Sequence, residues 1–255
     1  MSRIARVPRH LDNASADTEF VAEVGLYSLA QKLLSEFMGT FTLIFVGAGS
    51  ICADAYLRAQ GQHGIGVLGI AAAYGLATAV MVTALGHISG GHLNPAVTIG
   101  FWVTKKISTL NAISYGVSQL LGATLAAYVL TLAISDSIWR TVGLGTPDLA
   151  LDFTRAHGMV LEGIATFLLV FVVFATAVDP NGAFHRIAGF AIGLAVTMDV
   201  LVAGPFTGAA MNPARAFGPA LVAHHWQNQG VYWVGPLFGG VVAGWIYGSF
   251  LLKES

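Results

Sequence analysis

Two asparagines, Asn94 and Asn212, are each followed by proline and alanine, Pro95-Ala96 and Pro213-Ala214. The tripeptide reads as a helix start. Asn is a favoured N-cap, and Pro suits the first helical position because its missing N–H would have no partner there. The asparagine oxygen accepts backbone N–H groups of its own helix, which leaves the side-chain NH2 donors free to face outward. If both helix starts point at one place, their partial positive charges meet there. A water held between them turns its oxygen to the asparagines and its hydrogens away, in both directions. Such an arrangement breaks a proton wire and repels cations. Average residue usage puts two chance copies in matching places at roughly one in a thousand or less.

Positioning such a pair requires a particular frame. Of the 255 residues 55% are hydrophobic and 10% charged, and 31 are glycine. Soluble domains carry about 25% charged residues. Abundant glycine among apolar residues suits closely packed membrane helices. A net charge of −1 gives no broad basic surface, so nucleic acid is not an expected partner. The one cysteine, Cys52, permits no internal disulfide. The polar N-terminal stretch lacks the apolar core of a signal peptide. Residues 1–29 therefore read as a cytoplasmic tail, and 30–255 as a membrane domain.

Six long apolar stretches fall near 30–53, 65–86, 108–134, 157–178, 186–205 and 229–252. Each reaches or approaches the ~20 residues that cross a hydrocarbon core as a helix. Two more, near 94–104 and 212–223, are too short and cover about half of it. The halves repeat: Leu34-Ser-Glu-Phe-Met-Gly-Thr-Phe41 resembles Leu161-Glu-Gly-Ile-Ala-Thr-Phe167, and His92-Leu-Asn-Pro-Ala-Val97 resembles Ala210-Met-Asn-Pro-Ala-Arg215. Repeat 1 spans about 30–134 and repeat 2 about 157–252. Each holds three spans, an odd number, so the second starts from the opposite face. The short pieces then enter from opposite sides and meet near mid-membrane, where inverted repeats with broken helices mark a transport site. Arg3, Arg6, Arg9, Lys32, Lys105, Lys106, Arg186 and Lys253 fall on one side, against Arg58, Arg140 and Arg155 on the other. The positive-inside rule places both termini in the cytoplasm.

These motifs, with Gly86-His-Ile-Ser-Gly-Gly-His-Leu-Asn-Pro-Ala-Val97, Met211-Asn-Pro-Ala-Arg-Ala-Phe-Gly-Pro219 and Tyr232-Trp-Val-Gly-Pro236, resemble the aquaporin family from about Lys32 to Leu251. The resemblance implies an all-α membrane protein with six transmembrane helices, two re-entrant half-helices and an inverted internal repeat. It implies a passive water channel and no enzyme, assembled as a homotetramer in the lipid bilayer with one pore per subunit. No cofactor or metal is expected. A plasma (cell inner) membrane is the expected residence. Half-helix dipoles and an arginine are general devices of this class of pore.

Three residues after each asparagine, on one helical face, the first half has Val97 and the second Arg215. Arg215 is read as a filter residue, offering donors to water and repelling cations. The family's other filter positions fall on Tyr74, Val200 and Ala209. Water-only members usually carry Phe and His at the first two. Val200 removes the imidazole, as in ammonia- and peroxide-permeable members, including the plant tonoplast type, although those commonly place His where this chain has Tyr74. The Tyr74 phenol either donates a hydrogen bond or only packs. Ala216 stands where glycerol facilitators have Asp, so water, with ammonia or hydrogen peroxide as added permeants, ranks above glycerol. Cys52 sits away from the family's mercury-sensitive position near Ala209, so mercury block should be weak.

Glu36 and Glu162 occupy matching places on the first span of each half. Buried carboxylates in lipid usually mark function. They read either as a proton relay or, as the family implies, as supports that turn re-entrant loop carbonyls to the pore. His92 would contribute a backbone carbonyl to the water path, and His87 would pack or cap the loop entrance. Asp199 tunes the filter or makes a loop contact. His157, His185, His224 and His225 read as interfacial residues before a metal site. Asn13-Ala14-Ser15 matches a glycosylation sequon on the tail. The rival functions are an ion-coupled secondary transporter, which would use Glu36, Glu162 or Asp199, and an intramembrane acid–base enzyme, for which no nucleophile–base or HExxH arrangement exists.

Overall fold

The computed structural model describes residues 26–182 and 187–252. The expectations for residues 1–25, including Arg3, Arg6, Arg9 and the Asn13 sequon, and for His185, Arg186 and Lys253 lie outside the described residues. In chain order the helices are α1 (Leu29–Ala59), α2 (Gly66–Ser89), α3 (Pro95–Val103), α4 (Thr109–Ala133), the single turn α5 (Asp136–Trp139), α6 (Arg155–Val178), α7 (Ala188–Thr207), α8 (Pro213–Ala223) and α9 (Val231–Leu251). Among the described residues, six are long and apolar enough to cross a membrane: α1, α2, α4, α6, α7 and α9. The protein is thus an integral, multi-pass membrane protein. α3 and α8 are the half-length pieces, with 9 and 11 residues.

Side chains fix the helix starts. Ser28 and Gln31 exchange bonds at the head of α1, Ser28 Oγ accepting from Gln31 N and Gln31 Oε1 from Ser28 N, a capping box. Ser108 and Thr154 cap α4 and α6. Most expected boundaries hold within a few residues. α1 is the exception, running on to Ala59 where the apolar pattern ends near 53. Its added turn is held by polar contacts instead. Asp54 and Arg58 pair at 2.7 Å along the helix, and the other Asp54 oxygen accepts from Gly66 N at 2.8 Å, tying α1 to the head of α2. α6 and α9 both finish in wide π-type turns, Phe174–Val178 and Tyr247–Leu251, which pack on each other through Phe174 and Tyr247.

The two halves interlock by exchanging their half-helices. α3, from the first half, packs on α9 of the second, and α8 packs on α4 of the first. Glycine permits both crossings. A Cβ on Gly240 would clash with the Ala96 carbonyl, and one on Gly218 would come 2.5 Å from Ala123 C. Gly75 and Gly193 serve the α2–α7 crossing in the same way. This is the small-residue packing that membrane helices use in place of a hydrophobic drive. Large apolar side chains such as Leu76, Leu121 and Phe238 point outward and exposed, as a lipid-facing or subunit-facing surface requires.

Gly240→Ala should therefore cost about 1–3 kcal/mol through overpacking against backbone. Gly116, inside α4 with nothing within 4 Å of an added Cβ, should gain up to about 1 kcal/mol as Ala. Thermal unfolding of both variants in detergent checks the contrast. Equal melting temperatures would show that the α3–α9 crossing tolerates a methyl group.

Candidate functional site

Each half-helix is approached by a loop whose backbone is left-handed at several residues. Gly90, Gly91 and Leu93 have φ of 90°, 61° and 51°; Gly208, Ala209 and Met211 have 79°, 45° and 51°. The last of each set bears a large side chain, so the conformation must be held from outside. The first-span glutamates do this. Glu36 Oε1 accepts from Ser89 Oγ at 2.6 Å and His92 N at 2.9 Å, while Oε2 accepts from Leu93 N at 2.6 Å and Gln119 Nε2 at 2.7 Å. Glu162 Oε1 accepts from Thr207 Oγ1 at 2.6 Å and Ala210 N at 2.9 Å, and Oε2 from Met211 N at 2.7 Å. Both carboxylates are fully buried with every oxygen occupied. They are committed to ordering loops, an arrangement that favours the supporting reading over a proton relay.

Sequence reasoning missed the helpers of these clamps. Ser89 and Thr207 are matching hydroxyls, each five positions before its asparagine. Tyr115 on α4 donates to Ser89 O, and Tyr232 on α9 donates to Thr207 O, both at 2.9 Å. The repeat itself was the available signal, since Tyr115 and Tyr232 lie 21 and 20 positions beyond Asn94 and Asn212.

The asparagines cap their helices as expected. Asn94 Oδ1 accepts from Ala96 N at 2.8 Å, and Asn212 Oδ1 from Ala214 N and Arg215 N at 2.9 and 3.2 Å. Their donors are not all free, which corrects the sequence reading. Asn94 Nδ2 donates to Met211 O at 2.8 Å, and Asn212 Nδ2 to Leu93 O at 2.9 Å. The loops present carbonyls to the opposite half, so one N–H of each amide cross-links the repeats and the second remains available.

A narrow cavity passes both asparagines and is lined along its length by Leu43, Val82, Val97, Leu169, Val173 and Ile192. Its room for water centres is about 40 Å³, and one water needs about 10–15 Å³, so it holds a short file. Tyr74, Val200, Ala209 and Arg215 all line this cavity. Arg215 is 2% exposed and donates from one terminal nitrogen to Gly145 O at 2.8 Å, with a long 3.5 Å contact from the other to Gly208 O. Its guanidinium lies 5.0 Å from the Tyr74 ring centre. It makes no ion pair among the described residues. The Tyr74 hydroxyl has no hydrogen-bond partner among the described residues. The partner of Arg215 was not legible in the sequence, because Gly145 lies in the connection between the halves.

The remaining candidates sort by position. His92 lines the cavity, its backbone held by Glu36 and its ring against Thr98 Oγ1 at 3.1 Å, Phe101 and Tyr115. His87 packs edge-on to Tyr27. Asp199 is buried beside Val200, while Val196 and Val200 form the cavity wall there. Cys52 is fully buried on α1 and does not line the cavity. His157 packs on Phe153, and His225 pairs with Asp148. Among the described residues no cluster of three His, Cys, Asp or Glu could hold a metal.

A half-helix pair meeting in a water-sized cavity inside six spans defines a membrane channel. Comparison with known proteins gives its family. The family model described as Major intrinsic protein matches residues 23–247. The chain is 43% identical over 226 residues to Aquaporin TIP4-4 of Zea mays, covering 88% of each. It is 46% identical over 228 residues to Probable aquaporin TIP3-2 of Arabidopsis thaliana, covering 87% of this chain and 84% of that one. The X-ray structure of the aquaglyceroporin from Plasmodium falciparum shares the fold, with a TM-score of 0.75, 23% identity and coverage of 88% and 97%. The chain belongs to the major intrinsic protein, or aquaporin, family: it is a channel and not an enzyme. The relatives carry TIP-type names, so the expected residence in the plasma membrane draws no support from them.

Replacing either clamp carboxylate by an amide puts an N–H against backbone N–H groups. Glu36→Gln and Glu162→Gln should each lower stability by about 1–3 kcal/mol and reduce water flux per folded molecule. Thermal melts with osmotic shrinkage of proteoliposomes measure both. Wild-type values for both variants would remove the glutamates from the account.

Proposed function

We propose that this chain is a passive water channel that excludes ions and protons, with ammonia and hydrogen peroxide as added permeants. The observation that carries the reading is the pair of half-helix N-termini meeting at Asn94 and Asn212 in one water-sized cavity. Each asparagine keeps one N–H for a passing water oxygen, and both helix dipoles favour that orientation. Water hydrogens then point away from the centre on both sides, so no continuous proton wire forms. Passive flow is supported by Glu36 and Glu162 being fully bonded to the loops, and by Asp199, the third acidic candidate, standing outside the cavity lining.

Tyr74, Val200, Ala209 and Arg215 form the constriction in this reading. Arg215 adds a positive charge with no ion pair among the described residues, while Val200 and Ala209 give an apolar wall of small side chains. That wall supports small neutral solutes beyond water. His92 and the loops held by Glu36 and Glu162 supply carbonyls along the file. A homotetramer in the bilayer, one pore per subunit and both termini on the cytoplasmic side complete the proposal. The TIP-type relatives support an internal, tonoplast-like membrane as its residence.

Stopped-flow light scattering on protein in liposomes tests this with osmotic, ammonia, peroxide and glycerol challenges. Fast shrinkage with ammonia or peroxide flux alongside is the expected result, with glycerol slow. Shrinkage no faster than in empty liposomes would contradict it, and uphill uptake driven by an ion gradient would favour the coupled transporter. At an effective dielectric of ~20, a unit charge ~4 Å away opposes a cation by about 4 kcal/mol. Arg215→Val, which copies Val97 of the first half, should therefore raise cation leak at least about tenfold while water still flows. An unchanged leak would show that the half-helix dipoles alone exclude cations.

A further inference from the structure

We propose that Asp148 and His225 form a positioning pair for the constriction: they hold the 140–150 connection down on the pore mouth, keep the Gly145 carbonyl against Arg215, and so set how well larger solutes are rejected. The proposal rests on the filter reading above and adds residues that do not line the cavity.

Arg215 has one full hydrogen bond from its terminal nitrogens, to Gly145 O. That carbonyl belongs to a turn of three successive left-handed residues, Gly143 at φ 53°, Leu144 at 55° and Gly145 at 71°. Such a run does not hold itself, because each non-glycine residue in it is disfavoured. Locally, Thr146 N and Oγ1 donate to Gly143 O at 2.9 and 2.6 Å. At longer range Leu144 is fully buried in the core and the turn packs on α1 and α8; Asp148 adds the polar tie. Its Oδ2 meets His225 Nε2 at 2.7 Å, and its Oδ1 accepts from Asn228 Nδ2 at 2.8 Å and Leu149 N at 2.8 Å. Arg155 Nε donates to Asn228 Oδ1 at 3.1 Å, which turns the Asn228 amide toward Asp148. The His225 ring stands against the turn itself, 3.7 Å from where a Cβ on Gly143 would lie. One imidazole thus stands beside the strained turn and, through Asp148, ties the connection to the exit of α8, the helix that carries Arg215.

The pair is about one-third exposed, at 33% and 30%. Burial alone would push the Asp148 carboxyl up, but hydrogen bonds from Asn228 and His225 hold it below its ordinary value. A carboxylate depressed in this way contributes above its unfolded value of about 4 and loses the contribution as pH falls through its lower folded value, so near neutral pH Asp148 is a charged acceptor for both partners.

Proteoliposomes at neutral pH test this through the ratio of urea to water permeability. Asp148→Asn and His225→Ala should each raise the ratio about threefold, and the double variant should raise it no further than either single change. His225→Gln, which keeps an N–H donor for Asp148, should stay nearer the wild type. If His225→Ala does not fold, the other two single variants decide. Variants that fold, conduct water and keep the wild-type ratio would overturn the positioning role while leaving the water-channel reading intact. A wild type without water flux would instead overturn the reading on which the pair depends.

Discussion

Leu93 and Met211 both sit at φ 51°, a left-handed backbone that side-chain-bearing residues avoid at a cost of order 1–3 kcal/mol. Each is pinned from two directions. Its N–H goes to the glutamate of its own half, Glu36 or Glu162, and its carbonyl takes a side-chain N–H from the asparagine of the other half. No single repeat can complete this arrangement. The loop of one half is held open by a carboxylate beneath it and closed by an asparagine across from it. Remove the clamp and the backbone relaxes, the carbonyl turns away, and the opposite amide loses its partner.

Much of the remaining structure follows from that mutual hold. Two half-helices whose caps bond to each other's loops must meet end to end, which requires the halves to be inverted. Their flanks must then lie on spans of the opposite half, and Gly240 and Gly218 let the backbones approach closely enough. Burying two carboxylates in lipid is costly unless their oxygens are hydrogen-bonded. The hydroxyls of Ser89 and Thr207, the amide of Gln119 and the loop N–H groups supply those bonds. The result is a rigid centre. The halves still differ in detail, within the clamp at Gln119, which bonds Glu36 and not Glu162, and beyond it at the matching positions Val97 and Arg215.

The frame was legible in the sequence because its signals are local or repeated. Spans follow from the length of apolar runs, half-helices from their shortness, caps from Asn-Pro, and inversion from an odd number of spans per repeat. What could not be read depends on contacts between distant segments. The amides of Asn94 and Asn212 reach carbonyls 117 and 119 positions away. Ser89, Thr207, Tyr115 and Tyr232 gave no composition signal, since a hydroxyl in an apolar helix commonly bonds its own helix, as Thr78, Thr166 and Thr176 do here. The Gly145 carbonyl on Arg215 depends on an irregular connection without a periodic pattern. The last turn of α1 was lost because ion pairing, not apolar periodicity, holds it.

The central claim is that the paired clamps leave the two asparagines able to orient each passing water and so to part water flow from proton flow. Both fluxes can be read in one sample, from proteoliposomes carrying an internal pH dye and subjected together to an osmotic step and a pH step at several temperatures. The account predicts rapid shrinkage with an activation energy close to that of water self-diffusion, and internal pH drift no faster than in protein-free vesicles. Proton entry that rises in step with water flux would contradict it, because an unbroken chain of hydrogen-bonded waters would then run past Asn94 and Asn212.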